Sequence, residues 1–133
     1  MKRLDNQITV TSQLTPVHLQ QAKELGFQSI ICNRPDNEEM GQPNFQVLAD
    51  EAGKLGLSIH HLPVNSPAVA DHEIQAFKNC LDTTPKPILA FCKTGTRAAT
   101  LWAKSQQGHL DDKTIMQCCQ DAGYQINLER THE

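Results

Sequence analysis

Pro87-Ile88-Leu89-Ala90-Phe91-Cys92-Lys93-Thr94-Gly95-Thr96-Arg97-Ala98-Ala99-Thr100-Leu101-Trp102-Ala103-Lys104 carries the densest structural signal in the chain. Its first five residues form an apolar run of strand length, which predicts a buried strand. The residues from Ala98 onward read as the opening of a helix. Between them Cys92 stands at the strand end, Gly95 in the turn and Arg97 at the helix N-terminus. Turn amides, the positive end of a helix dipole and a guanidinium are thereby brought together. The stretch reads as an anion site with a nucleophile in it, and so as a cysteine-dependent enzyme.

The chemistry follows from the residue types. A free cysteine titrates near about 8.5, and only its thiolate is a strong nucleophile. Lys93, Arg97, the helix end and the amides of residues 93–98 all favour the ionised sulfur. The same groups suit a tetrahedral oxyanion, and the planar fork of Arg97 matches two of its oxygens. Cys92 is therefore the candidate nucleophile and Arg97 the clamp. Lys93, Thr94, Gly95, Thr96 and Arg97 form the candidate anion cradle. A buried structural thiol followed by an ordinary turn is the competing reading, since free cysteine is among the most buried residue types.

Outward from this stretch, strand and helix signals alternate. Gln7 to Val10 reads as a first strand. Thr15-Pro16 opens a helix that ends at Gly26, with a hydroxyl cap followed by proline in the first turn. Phe27 to Cys32 is an interior strand, and Asn33 to Gln42 a polar loop. Pro43 opens a second helix that stops at Gly56, and Leu57 to Leu62 is the next strand. Asp71 is expected to cap a helix through Leu81. Two more helices follow, over about Arg97 to Gln107 and Asp111 to Ala122. At 133 residues the chain fits one domain, residues 1–133. The alternation predicts an α/β fold: a mostly parallel central sheet of four to five strands with helices on both faces. Ligands bind such sheets beyond the carboxyl ends of the strands. That rule gathers the loops after Val10, Cys32, Leu62 and Phe91.

Composition narrows the function. A formal net charge of -3 and 5% aromatic residues give no surface for nucleic acid or membrane. No apolar run approaches the roughly 20 residues of a membrane span. The first residues carry charge without an apolar core behind it, unlike a secretory leader. Five cysteines, an odd number without paired spacing, read as reduced thiols in a cytoplasmic protein. His60 and His61 are consecutive in a strand and face opposite sides, so they cannot chelate one ion. Cys118 and Cys119 diverge by roughly 100° on a helix and cannot share a metal. No metal and no cofactor are expected. Trp102 and Cys80 read as packing residues.

The quoted loop resembles the active loop of the phosphatase-like domain of the beta-lactamase hydrolase-like protein family. Gln13-Leu14-Thr15-Pro16, Asn33-Arg34-Pro35-Asp36 with Glu38-Glu39, and Gly41-Gln42-Pro43 resemble that family too, in order from about Ile8 to Trp102. The family is similar in fold to dual-specificity phosphatases. The resemblance implies a cysteine-phosphatase-like hydrolase acting on a phosphate ester through a thiophosphoryl-cysteine intermediate. Its classical relatives separate cysteine from arginine by five residues, whereas four lie between Cys92 and Arg97 here. They have histidine before the cysteine and a hydroxyl after the arginine, where this chain has Phe91 and Ala98; Thr94, Thr96 or Thr100 must then ease sulfur departure. The four-residue interval is also the rhodanese pattern, so sulfur transfer with a persulfide on Cys92 is the rival. A non-catalytic anion- or phosphoprotein-binding module is the third reading. The substrate carries phosphate or sulfur and is otherwise unnamed, and the oligomeric state is open. Asp36 is the candidate general acid, with Asp71 the alternative. Arg34 either contacts the substrate anion or pairs with Glu38 and Glu39. Cys32 is a buried core thiol or a redox partner of Cys92.

Overall fold

The computed structural model describes residues 1–129. Five strands form one sheet: β1 (Lys2–Arg3), β2 (Ile8–Thr11), β3 (Ser29–Cys32), β4 (Ser58–His61) and β5 (Ile88–Phe91). Their spatial order is β1-β2-β5-β3-β4. All pairings are parallel except that of β1 with β2. The expected α/β sheet is therefore present, with the Cys92 strand at its centre. Sequence patterning did not anticipate β1. A two-residue polar strand has no alternation to detect, and it exists by pairing with β2.

Five helices cover the sheet: α1 (Pro16–Glu24), α2 (Phe45–Leu55), α3 (Asp71–Thr83), α4 (Thr96–Gln106) and α5 (Asp112–Asp121). The central strands are apolar throughout because both faces are covered. Ile30, Cys32, Leu89 and Phe91 pack with Leu19, Ala22, Leu48 and Ala52 of α1 and α2. Ile31, Ile88 and Ala90 point the other way, to Phe77, Leu101 and Ile115 of α3, α4 and α5. The chain thus leaves β3 toward one face and β5 toward the other. The carboxyl ends of these neighbouring strands frame the crevice where doubly covered sheets bind ligands.

The start of α3 differs from the expected cap. Ala70 holds the cap position, and the Glu73 carboxylate accepts from its N–H at 2.8 Å. Asp71 lies in the first helical turn, where a negative charge is still favoured by the dipole.

Trp102 is fully buried, as its helical spacing implies. Its indole N–H donates to Oδ2 of Asp5 at 3.2 Å. The other oxygen of Asp5 accepts from the N–H groups of Gln7 and Ile8 at 2.7 and 3.0 Å. One carboxylate therefore closes the turn before β2 and satisfies an indole in the core. Asp5→Ala leaves that indole N–H unpaired and is expected to cost about 1–3 kcal/mol in urea unfolding. A variant within error of wild type would rule this anchor out.

Candidate functional site

The loops following four strands meet at the carboxyl edge of the sheet. Asn33 ties three of them together. Its N–H donates to Phe91 O at 2.8 Å, its Nδ2 to Leu62 O at 2.9 Å, and its carbonyl accepts from Val64 N at 3.1 Å. The fourth loop joins through Gln13, whose N–H donates to Lys93 O at 3.3 Å.

Residues 33–44 form a self-braced loop. Oε1 of Gln42 accepts from the N–H groups of Glu38 and Glu39 at 3.1 and 3.3 Å, while its Nε2 donates to Pro35 O at 2.8 Å. Oδ1 of Asp36 accepts from Phe45 N at 2.8 Å, at the start of α2. For Asp36, the candidate acid, the contact the structure shows is this one at a helix start, where orphan N–H groups attract an acceptor.

That bracing delivers Glu38 to two arginines. Nη1 and Nη2 of Arg97 donate to its two oxygens at 2.8 and 2.9 Å. Nε of Arg34 donates to Oε1 at 2.9 Å. The Arg97 hydrogen bond, and then that of Arg34, hold the Glu38 carboxyl down to about 2. Arg97 is pushed above its ordinary value, first by Glu38. Arg34 is buried, and its Nη1 donates to Gln13 Oε1 at 2.9 Å. Its Nη2 lies 3.4 Å from Glu39 as an ion pair without hydrogen-bond geometry. Of the two expectations for Arg34, pairing with Glu38 and Glu39 is what the geometry shows. Lys93 pairs with Glu39, which lowers the Glu39 carboxyl.

Cys92 is fully buried, and Gly95 N donates to its Sγ at 3.1 Å. Gly95 has φ 98°, a left-handed conformation that glycine accepts without steric cost. The N–H groups of Lys93, Thr94 and Arg97 have no hydrogen-bond partner among the described residues. Thr94 and Thr96 contact each other through their hydroxyls at 3.2 Å, whereas Thr100 donates back to Thr96 O at 2.7 Å. A cleft of about 750 Å³ opens beside the loop, lined by Val69, Asp71, Thr96, Thr100 and Asn127 among others.

Cys32 sits in the apolar layer beneath α1 and α2. Its register partner on β5 is Phe91, not Cys92. Burial pushes its thiol up to about 12, and Sγ donates to Arg34 O at 3.4 Å. No three His, Cys, Asp or Glu residues among those described group as metal ligands. His60 and His61 diverge, the first to Thr84 Oγ1 at 2.7 Å and the second to Arg34 O at 3.0 Å.

Sequence reasoning did not find three contributors. Glu38 was paired only with its neighbour Arg34, since nothing local relates it to Arg97, 59 residues away. The carbonyl of Val64 accepts from Nη1 of Arg97 at 2.9 Å, and a backbone acceptor leaves no trace in a sequence. Tyr124 follows α5 and reaches back to the anion loop, its hydroxyl 3.4 Å from Thr94 O.

This architecture has known counterparts. The family model of the beta-lactamase hydrolase-like protein, phosphatase-like domain, matches residues 1–109. A beta-lactamase hydrolase-like protein of Agrobacterium fabrum is 35% identical over 100 residues, covering 75% of this chain and 23% of the relative. The chain thus spans about a quarter of that protein. The crystal structure of a candidate phosphatase from Neisseria meningitidis superposes with a TM-score of 0.83 at 34% identity, covering 96% and 90% of the two chains. The active form of Tk-PTP shares the fold at 16% identity and a TM-score of 0.76, covering 94% and 86%. The chain belongs to the family of the phosphatase-like domain of beta-lactamase hydrolase-like proteins.

Proposed function

We propose that the domain hydrolyses phosphate monoesters through a thiophosphoryl intermediate on Cys92. The observation that carries this reading is the donor count of Arg97. A guanidinium has five N–H donors. Glu38 takes one from each Nη, and Val64 O takes the second from Nη1. The N–H of Nε and the second N–H of Nη2 are taken by neither Glu38 nor Val64, and the guanidinium's further side-chain hydrogen bond is to Cys92. These two lie on one edge of the plane and form a fork for two oxygens of a phosphoryl group. Cys92 is close enough to that guanidinium to help raise its pKa, after Glu38. Glu38 thus fixes Arg97 beside Cys92 without taking all of its donors.

In the first step the Cys92 thiolate attacks phosphorus. The bond from phosphorus to the ester oxygen breaks, and that oxygen leaves with the electron pair and takes up a proton. In the second step water attacks the thiophosphoryl group, the sulfur–phosphorus bond breaks, and inorganic phosphate and thiolate are released. The Gly95 N–H on sulfur supports the thiolate in both steps, in place of the hydroxyl that Ala98 lacks. Asp71 is the acid we assign to the leaving oxygen, because it lines the cleft together with Thr96. The four-residue interval from Cys92 to Arg97 keeps sulfur transfer as the alternative to be tested alongside.

Hydrolysis of para-nitrophenyl phosphate is expected to vanish in Cys92→Ser. In Arg97→Lys, which cannot present a fork, kcat/KM should fall about 100-fold or more. Gain of one sulfur on Cys92 after thiosulfate treatment, with no phosphate released by wild type, would replace the proposal with sulfur transfer. Asp71→Asn should slow hydrolysis of an alkyl phosphate by roughly 100-fold while sparing the nitrophenyl ester, whose leaving group needs no acid. Equal losses on both esters would remove Asp71 from this role.

Glu38→Gln keeps the shape but cannot accept from both Nη groups, and kcat/KM is expected to drop roughly 10- to 100-fold through misplacement of Arg97. The same variant reports on stability. Glu38 titrates near 2 when folded, against an ordinary value of 4.5. Between those values the unfolded chain binds more protons, so stability rises with pH there. The Glu38 contribution is complete above about 4.5 and lost as pH falls toward 2. Urea unfolding across this window should show a shallower pH slope in Glu38→Gln than in wild type; an unchanged slope would contradict the buttress.

A further inference from the structure

The peptide plane joining Thr94 to Gly95 is held at both of its polar ends. Its N–H, on Gly95, donates to Cys92 Sγ at 3.1 Å. Its carbonyl, on Thr94, accepts from the Tyr124 hydroxyl at 3.4 Å. Because a trans peptide is planar, its N–H and C=O point in opposite directions. A donor that holds the oxygen outward therefore holds the N–H on the sulfur. We propose that Tyr124 is a positioning residue for the Cys92 thiolate, acting through the Thr94–Gly95 peptide.

The need for such a holder follows from Gly95. Glycine accepts positive and negative φ about equally, so its preceding peptide can rotate at small steric cost. Rotation would withdraw the N–H and turn the Thr94 carbonyl oxygen toward the sulfur, opposing the charge on a thiolate. Tyr124 is placed to prevent it. A Cβ at Gly95 would lie 2.2 Å from the tyrosine oxygen and 2.9 Å from Cζ, so the phenol end rests directly on this glycine. The ring is anchored at the end of α5. Tyr124 N donates to Cys119 O at 2.8 Å, and Gly123 N to Gln120 O at 2.9 Å, at the end of α5. The ring packs against the apolar layer of α3, α4 and α5. Burial, and then the Cys92 sulfur, raise the tyrosine pKa, so at neutral pH the phenol is protonated and acts as a donor. Two hydrogen bonds in series through one peptide polarise each other in the direction that favours negative sulfur.

Tyr124 lies beyond residues 1–109, the part matched by the family model. The inference rests on Cys92 acting as a thiolate and is indifferent to which anion that thiolate attacks. It can therefore fail separately from the phosphatase reading.

The test compares wild type with Tyr124→Phe, which keeps the ring and removes only the hydroxyl. Thiolate formation is followed by ultraviolet absorbance over roughly pH 5 to 9, subtracting the matching Cys92→Ser protein. Inorganic phosphate affinity and melting temperature are measured on the same samples. The expected result is about a threefold fall in the Cys92 ionisation constant, the low end of what one hydrogen bond contributes. Phosphate affinity should weaken by a similar factor, with the melting temperature unchanged. Tyr124→Met, which fills space without a donor, should reproduce the shift, and it stands in if the phenylalanine variant does not fold. A folded hydroxyl-free variant with wild-type ionisation and phosphate binding would overturn the proposal. If wild type shows no thiolate absorbance above that of Cys92→Ser anywhere in this range, the nucleophile reading fails and takes the positioning role with it. If the tyrosine effect is present but no phosphate ester is turned over, only the phosphatase reading fails.

Discussion

The Glu38 carboxylate accepts hydrogen bonds from two guanidinium groups that belong to different loops. Much of the site depends on this bridge. Arg97 approaches from the start of α4 and Arg34 from the loop after β3, and both are largely buried. Each would be costly to bury as an isolated charge. Gln42 and Asp36 brace the loop that carries Glu38, so the carboxylate is delivered in a set orientation. Arg34, Lys93 and Arg97 face Glu38 and Glu39. These ion pairs hold Arg97 beside Cys92 and Lys93 at the edge of the same loop.

The sheet explains why these groups can meet. With β5 between β2 and β3, the Cys92 loop is flanked on both sides by other strand ends. The chain leaves β3 and β5 toward opposite faces, which opens the crevice between them. Asn33 then cross-links three of the surrounding loops through its backbone and its side-chain amide. The anion loop is thus framed by parallel strands, with α4 directly behind it and Tyr124 against its turn. Burial raises the Cys32 and Cys119 thiols to about 12 and about 11.

Much of this was legible in the chain itself. The apolar runs at Ile30-Ile31 and Ile88-Leu89-Ala90-Phe91 announce strands covered on both faces. Thr15-Pro16 marks the start of α1 at Pro16, and Asp111 caps α5 by accepting from Thr114 N at 2.7 Å. Cys92, Gly95 and Arg97 mark the candidate anion loop because their spacing within one turn is local. Asp36 and Asp71 were harder. A carboxylate in a polar loop has the same local signature whether it caps a helix or faces a cleft. Only the distance to Phe45 N gives Asp36 its capping contact, and only the folded chain places Asp71 and Thr96 on the lining of one cleft.

The alternation of strands and helices, the candidate loop at Cys92 and family membership could be read from residue order alone, since these depend on periodicity and on short fixed spacings. The tertiary structure decided which partners complete the site. Glu38 meets Arg97, Val64 O takes a further guanidinium hydrogen, and Tyr124 reaches the peptide beneath Cys92. These contacts join residues 30 or more positions apart, and two of them use backbone oxygens common to every residue. Their specificity comes from strand order and crossover direction, which bring distant loops within hydrogen-bond distance, and no local pattern of residue types encodes that approach.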